Sequence, residues 1–183
     1  MKTTFKEKLI TKNGPLQGSE IKKVSAVSGG CIHKAWRLEL NDGRQLFAKT
    51  GSKSALKMFK VEANGLLALK RFTDPTLLKI PKPLAIENID DEALLLLPWI
   101  DFHGHNEASL GQGLALLHKT SSNSHPGQYG WHEHGYIGSN KQSGGWRKTW
   151  GECFVSLRLK PQLKLASGWG FNAEKFGSLP IMD

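Results

Sequence analysis

The chain has 183 residues and a mass of 20.2 kDa, and 39% of its residues are hydrophobic, which allows one ordinary domain or two small lobes with a buried core. No run approaches the roughly 18 consecutive apolar residues of a membrane helix, and no apolar segment of a secretory signal follows the charged N-terminus. With only two cysteines and no CxxC pair, the composition predicts a cytoplasmic protein without a membrane partner.

The formal net charge of +9 and the isoelectric point near 9.6 raise the question of nucleic-acid binding. The basic residues are scattered in ones and twos, as in Lys22-Lys23 and Arg147-Lys148, and no nucleic-acid-binding motif accompanies them. We therefore predict no nucleic-acid partner and interpret the charge as favouring solubility and the attraction of small anions.

The first half of the chain predicts a β-rich lobe with one main helix. Strand-like alternation, helical spacing and turn residues give the following elements in order: a short helix over residues 6–11, strands over 21–28, 35–40 and 44–50, a helix over 54–72, and strands over 84–87 and 92–97. Asn41-Asp42-Gly43 predicts a tight hairpin, and Ser54 is the predicted N-cap of the long helix. The fold class is α+β, with a five-stranded antiparallel sheet.

The second half predicts helices joined by a polar loop. A second helix ends at His118, a loop covers residues 121–134, and a third helix surrounds Trp150. The apolar residues at helical spacing are Leu110, Leu114 and Leu117 in the second helix, and Trp146, Trp150, Phe154 and Leu157 in the third. Residues 168–183 show no periodicity, and we interpret them as the end of a chain cut short.

Four residues have the spacing of a nucleotide clamp: Gly29 and Gly30 between two strands, Lys49 on a later strand, and Glu62 on the following helix. Taken singly, the glycine pair fits an ordinary turn, and Lys49 fits a solvated strand residue. Together they match an ATP site in which glycine-loop amides cover the phosphates and a strand lysine, held by a helix glutamate, pairs with them.

Longer runs make the similarity more specific. The sequence resembles the fructosamine kinase (ketosamine-3-kinase) family in a series of motifs that run in order from about Val24 to Ala166. They are Gly29-Gly30-Cys31-Ile32, Ala35-Trp36-Arg37-Leu38, Phe47-Ala48-Lys49, Leu114-Ala115-Leu116-Leu117-His118, Tyr136-Ile137-Gly138-Ser139, Gly145-Trp146 with Trp150, and Arg158-Leu159-Lys160-Pro161-Gln162-Leu163. The resemblance implies a protein-kinase-like fold and ATP-dependent phosphorylation of a sugar-amine adduct, a ketosamine, on a protein or a free amine.

By the same resemblance, residues 1–97 form the N-lobe with the ATP clamp, and residues 98–183 form the hinge and the first helices of an incomplete helical C-lobe. Gly29, Gly30 and Cys31 become the phosphate loop, Lys49 the phosphate contact, and Glu62 its partner. The hinge that would hold adenine through backbone groups falls on three residues: Pro98, Trp99 and Ile100. Proline has no amide hydrogen, so a hinge donor must come from Trp99 or Ile100.

The chain departs from the family pattern in three places. Gly135 stands where an Asn is usual before Tyr-Ile-Gly, and Ser156-Leu157 replace Glu-His. The larger departure is that the His-Gly-Asp catalytic loop and the following magnesium-binding Asp occur nowhere in the 183 residues. We expect no catalytic residue and no Mg²⁺ ligand in this chain, and we expect a truncated product without turnover.

The histidine and cysteine residues suggest two weaker hypotheses. His103-Gly104-His105 and His132-Glu133-His134 match no strong metal pattern, so we predict solvated loop histidines and no metal site. Cys31, beside the glycine-loop amides, is a candidate redox-sensitive thiol. The family resemblance adds the hypothesis of a Cys31 to Cys31 disulfide homodimer, against the plainer reading of a packed or exposed thiol.

Two alternatives to a ketosamine kinase lineage stay open. One is a non-enzymatic nucleotide-binding or oligomerising fragment, which would associate through apolar surface exposed on the incomplete lobe. The other is a relative of the aminoglycoside or choline kinases, which share the clamp but fit the motifs around Cys31 and Pro161 less well.

Overall fold

The computed structural model describes residues 1–29, 32–101 and 106–170. The chain forms two compact units, Met1–Thr120 and Ser121–Asp183. The first unit contains the predicted sheet together with α3 (Glu107–Ser122) up to Thr120, while the division into lobes at residue 97 stays a prediction. Within the described residues, no helix combines the length and apolarity needed to cross a membrane.

The predicted five-stranded antiparallel sheet is confirmed. It consists of β1 (Ile21–Val27), β2 (Lys34–Leu40), β3 (Gln45–Ser52), β4 (Ala85–Ile89) and β5 (Glu92–Pro98), in the spatial order β1-β2-β3-β5-β4. Central β3 pairs with β2 through Lys49 opposite Ala35, and with β5 through Lys49 opposite Leu95. The clamp lysine therefore lies in the middle of the sheet.

Each face of the sheet has its own apolar core. One core contains α1 (Thr3–Leu9) and the sheet residues whose side chains point toward it, including Leu38, Leu46, Ala48 and Leu96. The other contains α2 (Leu56–Arg71) and sheet residues one position out of phase, including Ala93 and Leu95. Because strand side chains alternate between faces, buried Ala48 places the neighbouring Lys49 on the α2 face.

The start of α2 differs from the prediction. Ser54 does not cap the helix; it lies in a 3₁₀ turn, Lys53–Ala55, and its hydroxyl pairs with that of Ser52 at 2.9 Å. The residue before α2 is Ala55, which has no side chain able to cap. Ala55 is instead buried against the sheet, so packing and not capping fixes where this helix begins.

The second unit is less helical at its start than predicted. The loop expected over residues 121–134 includes a strand, β6 (Tyr129–Trp131), which pairs with β9 (Gly145–Arg147), while β7 (Gly135–Ile137) pairs with β8 (Asn140–Gln142). Trp146 therefore lies in a strand and not in the third helix. That helix begins at α4 (Trp150–Phe154), capped by the Thr149 hydroxyl, and continues through a π-helical turn (Val155–Leu159) into α5 (Lys160–Ser167).

Candidate nucleotide site

Lys49 and Glu62 form a close ion pair on the α2 face of the sheet. The Lys49 ammonium donates to both carboxylate oxygens of Glu62, at 2.9 Å to Oε1 and 2.7 Å to Oε2. The two side chains are 25% and 36% exposed, so the pair is half-shielded and still open to a ligand. Pairs of this exposure contribute about 1 kcal/mol or less to stability. Their geometry fixes the position of the ammonium more than it stabilises the fold.

The positions of both residues follow from local structure. Lys49 extends from a strand held on both sides by neighbours, and it lies between buried Ala48 and Thr50, whose side chains point the other way. Glu62 lies one helical turn from Phe59 and one residue before Ala63, both buried against the sheet. The burial of α2 thus turns Glu62 toward β3.

The glycine loop is described only in part. Gly29 has φ +112°, a backbone conformation that residues other than glycine rarely adopt. A Cβ added there would meet nothing within 4 Å. Glycine is therefore required at position 29 by backbone conformation and not by crowding. Gly30 and Cys31 lie outside the described residues, and so do the predictions of a phosphate-loop role and a redox role for them.

The predicted hinge is tied to the sheet. Pro98 ends β5 opposite Leu46, and the Trp99 amide donates to the Gln45 carbonyl at 3.0 Å. The Trp99 indole donates to Asp101 at 2.8 Å, and the Arg37 guanidinium lies 4.7 Å from the centre of a Trp99 ring. With Pro98 lacking an amide hydrogen and the Trp99 amide already used, Ile100 is the residue of this trio able to offer a backbone donor.

His33 is a site residue to which the sequence analysis gave no role. Its imidazole meets the Phe59 ring edge-on, with centroids 4.8 Å apart and planes at 74°. Desolvation, and secondarily the positive charge of Lys49, hold the pKa of His33 below its ordinary value of 6.5, while Glu62 acts in the opposite direction. The available sequence signal was its position: one residue before β2, beside the glycine loop.

The remaining histidines of the sequence patterns show ordinary local contacts. His134 accepts a hydrogen bond from the Gly144 amide at 3.1 Å, and His132 lies 3.4 Å from Glu133 with its side chain 57% exposed. His103 and His105 lie outside the described residues. In the part of the chain that the structure describes, no three His, Cys, Asp or Glu side chains come together as a set that could hold a metal ion.

Comparison with known proteins identifies one family. The sequence profile of the fructosamine kinase family matches residues 1–179. The chain belongs to the fructosamine kinase family. It is 32% identical over 154 residues to a probable ketoamine kinase of Synechocystis, covering 82% of this chain and 50% of that protein. It is 33% identical over 153 residues to a chloroplastic protein-ribulosamine 3-kinase of Arabidopsis thaliana, covering 82% and 45%. The chain thus spans about half the length of these curated relatives.

Solved structures show the same kinase-like fold. A protein of Haemophilus somnus assigned as a fructosamine-3-kinase superimposes with a TM-score of 0.71 at 20% identity, covering 91% of this chain and 53% of that one. A Thermobifida fusca protein with the same assignment gives 0.64 at 26% identity, covering 84% and 51%. The resemblance read from the sequence motifs and the predicted kinase-like α+β fold are both confirmed.

Proposed function

We propose that these 183 residues supply the nucleotide-binding part of a ketosamine kinase, an enzyme that transfers a phosphoryl group from ATP to a sugar hydroxyl of a glycated amine or protein. Family membership and the names of the relatives support the reaction class. The observation that carries the proposal for this chain is the two-oxygen contact between Lys49 and Glu62 on the α2 face of the sheet.

The described residues fit a nucleotide in three respects. The ammonium of Lys49 is held in place for phosphate oxygens, Gly29 has the backbone conformation of a tight phosphate loop, and Ile100 can donate its amide to adenine at the hinge. The same residues offer no carboxylate set for Mg²⁺, so we derive no step through a metal. When bound, Mg²⁺ would neutralise charge on the phosphates.

We further propose that the 183-residue chain by itself does not catalyse phosphoryl transfer from ATP to a ketosamine. Phosphoryl transfer depends on an aspartate that orients the substrate hydroxyl and on metal ligands, and no His-Gly-Asp run occurs in the sequence. In this proposal the chain binds ATP weakly through Lys49, and the ketosamine is not phosphorylated. The cytoplasm is the proposed compartment.

The test combines a binding and a turnover measurement. A fluorescent ATP analogue is titrated into the wild-type chain and into Lys49→Met, with Lys57→Met, an exposed lysine of α2, as the matched control. We expect K49M to weaken binding about tenfold and K57M to leave it unchanged, because only Lys49 is held by Glu62. Equal binding by wild type and K49M would contradict the clamp, and ADP release with fructosyl-lysine would contradict the predicted lack of turnover.

A second candidate is an oligomerising fragment, favoured by apolar side chains exposed on the second unit. Trp150 is 62% exposed and stacks on Phe154, with ring centroids 6.0 Å apart, and Trp169 is 86% exposed. Clusters of exposed aromatic side chains mark interfaces or aggregation sites. In this reading the occupant is a second copy of the chain; a homodimer through Cys31 is a separate proposal.

A further inference from the structure

The ring of His33 occupies a slot between two elements of the clamp. On the β3 side, a Cβ added to Gly51 would lie 2.8 Å from His33 Nδ1 and 2.9 Å from the Ala55 Cβ, so the slot exists because residue 51 has no side chain. On the α2 side, the ring makes a T-shaped contact with the ring of Phe59. The imidazole is therefore packed between a strand and a helix, directly after the glycine loop.

Packing, and not hydrogen bonding, holds this ring. Among the described residues, the buried Nε2 of His33 has no hydrogen-bond partner. A buried polar nitrogen without a partner costs about 1–3 kcal/mol of stability. Hydrogen bonding therefore does not account for the position of this ring. The contacts that the ring makes there are its close approach to Gly51 and its T-shaped contact with Phe59.

The two walls of the slot belong to the elements that carry the ion pair. Gly51 follows Lys49 by two residues on the same strand, so both lie on the same face of the sheet. Phe59 precedes Glu62 by three residues on α2, so both lie on the same side of the helix. The separation between β3 and α2 at the slot therefore contributes to the distance that the side chains of Lys49 and Glu62 have to span.

We propose that His33 is a positioning residue for the clamp: its ring spaces α2 from β3 and keeps Glu62 in two-oxygen contact with Lys49. The role of that contact in binding ATP rests on the proposed function. The spacing itself does not, and it is measurable without a nucleotide.

Trace acetylation with acetic anhydride, read by mass spectrometry at each lysine, tests the spacing. A lysine nitrogen held against a carboxylate is less accessible to the reagent and reacts slowly. The Glu62→Gln variant gives the acetylation rate of a Lys49 that has no carboxylate partner. We expect His33→Ala to raise the Lys49 rate about threefold or more toward that limit. His33→Phe, which keeps a ring in the slot, should restore the wild-type rate. The double variant H33A/E62Q should react no faster than E62Q alone.

The controls separate positioning from general destabilisation. Lys57, exposed on the same helix, should keep its rate in H33A, and His132→Ala, at an exposed histidine of the second unit, should leave Lys49 unchanged. If H33A does not fold, Phe59→Leu removes the same ring contact from the α2 side and should release Lys49 in the same way. A wild-type Lys49 rate in a folded H33A or F59L chain overturns the proposal, as does a uniform rise at all lysines.

A nucleotide arm separates the two proposals. The H33A chain should bind the fluorescent ATP analogue several-fold more weakly than the wild-type chain. The double variant H33A/K49M should bind it no more weakly than K49M alone. An equal loss in both backgrounds would show that His33 acts independently of Lys49 and would overturn the proposal. If the wild-type chain binds no nucleotide, the proposed function fails, and the acetylation result still decides the role of His33.

Discussion

At the scale of single residues, His33 packs between the strand that carries Lys49 and the helix that carries Glu62. Its ring contacts Phe59 and Gly51, and the charges that act on it are Lys49 from β3 and Glu62 from α2. Lys49 and Glu62 were predictable from the sequence because their spacing is characteristic. The position of His33 was not, because its contacts join residues 33, 51 and 59, which only folding brings together.

The lowered pKa of His33 predicts a pH dependence of stability. As the pH falls below 6.5, the unfolded chain takes up a proton at His33 before the folded chain does, because desolvation and Lys49 oppose the charged ring in the fold. Stability should therefore decrease from about pH 6.5 down to the folded-state pKa and then level off. Urea unfolding of wild type and His33→Phe from pH 7.5 to 4.5 measures this.

In that comparison, H33F should lack the decrease, while His132→Phe, at a mostly exposed histidine, should follow the wild-type profile. Parallel profiles for wild type and H33F would show that the ring titrates as freely in the folded chain as in the unfolded one.

At the scale of elements, the π-helical turn Val155–Leu159 has an identifiable cause. Pro161 has no amide hydrogen, so the Leu157 carbonyl loses its normal donor four residues on, and the proline ring also crowds that carbonyl. At this point the helix contains one extra residue in the turn, and the Lys160 amide donates to the Val155 carbonyl five residues earlier. Arg158 Nη1 supplies the missing donor, at 3.1 Å to Leu157 O, and bonds Ser143 O at 2.8 Å.

Arg158→Ala should therefore destabilise the second unit by about 1–2 kcal/mol, because two carbonyls lose a charged donor at once. Native-state hydrogen exchange of residues 145–165 measures the change. Lys160→Ala, an exposed neighbour on α5, is the matched control and should stay within about 0.5 kcal/mol of wild type. Equal protection in R158A and wild type would mean that the guanidinium contacts contribute nothing to the unit.

The sheet of the first unit was predictable, and the short strands of the second unit were not. The sheet follows from alternating apolar residues and the Asn41-Asp42-Gly43 turn, and the structure forms it with all five strands. The strand β6 was missed because its three residues include Gly130 and gain their pairing only from β9, more than ten residues later. Trp146 was assigned to a helix on spacing alone, and strand pairing with Gly130 decided otherwise.

At the scale of the whole molecule, exposed aromatic residues on the second unit predict self-association. Trp150 and Phe154 lie one turn apart on α4, and each leaves close to half or more of its surface in water. Light scattering over a range of protein concentrations should show a rising mass for the wild-type chain. The double variant Trp150→Glu/Phe154→Glu should lower it, because charge opposes burial of that surface.

Leu67→Glu, at a leucine of α2 that is 41% exposed, provides the control for that experiment and should behave as wild type. A defined oligomer that W150E/F154E dissociates would support the oligomerising alternative, and heterogeneous aggregation would count against it. A monomer at all concentrations would contradict the prediction.

The amino-acid sequence by itself determined the family, the kinase-like α+β fold and the sheet. The order of the motifs and the alternation of apolar residues are visible in the sequence without any structure. The sequence also predicted that Glu62 pairs with Lys49, as the structure shows. Only the tertiary structure decided that the Trp99 amide donates to the Gln45 carbonyl and that the Ser54 hydroxyl pairs with Ser52 and does not cap α2. It also decided that the His33 ring lies beside Gly51. These outcomes depend on contacts made only in the folded chain: β3–β5 pairing brings Trp99 to Gln45, burial of Ala55 precedes the start of α2, and packing of α2 on the sheet brings Phe59 to His33.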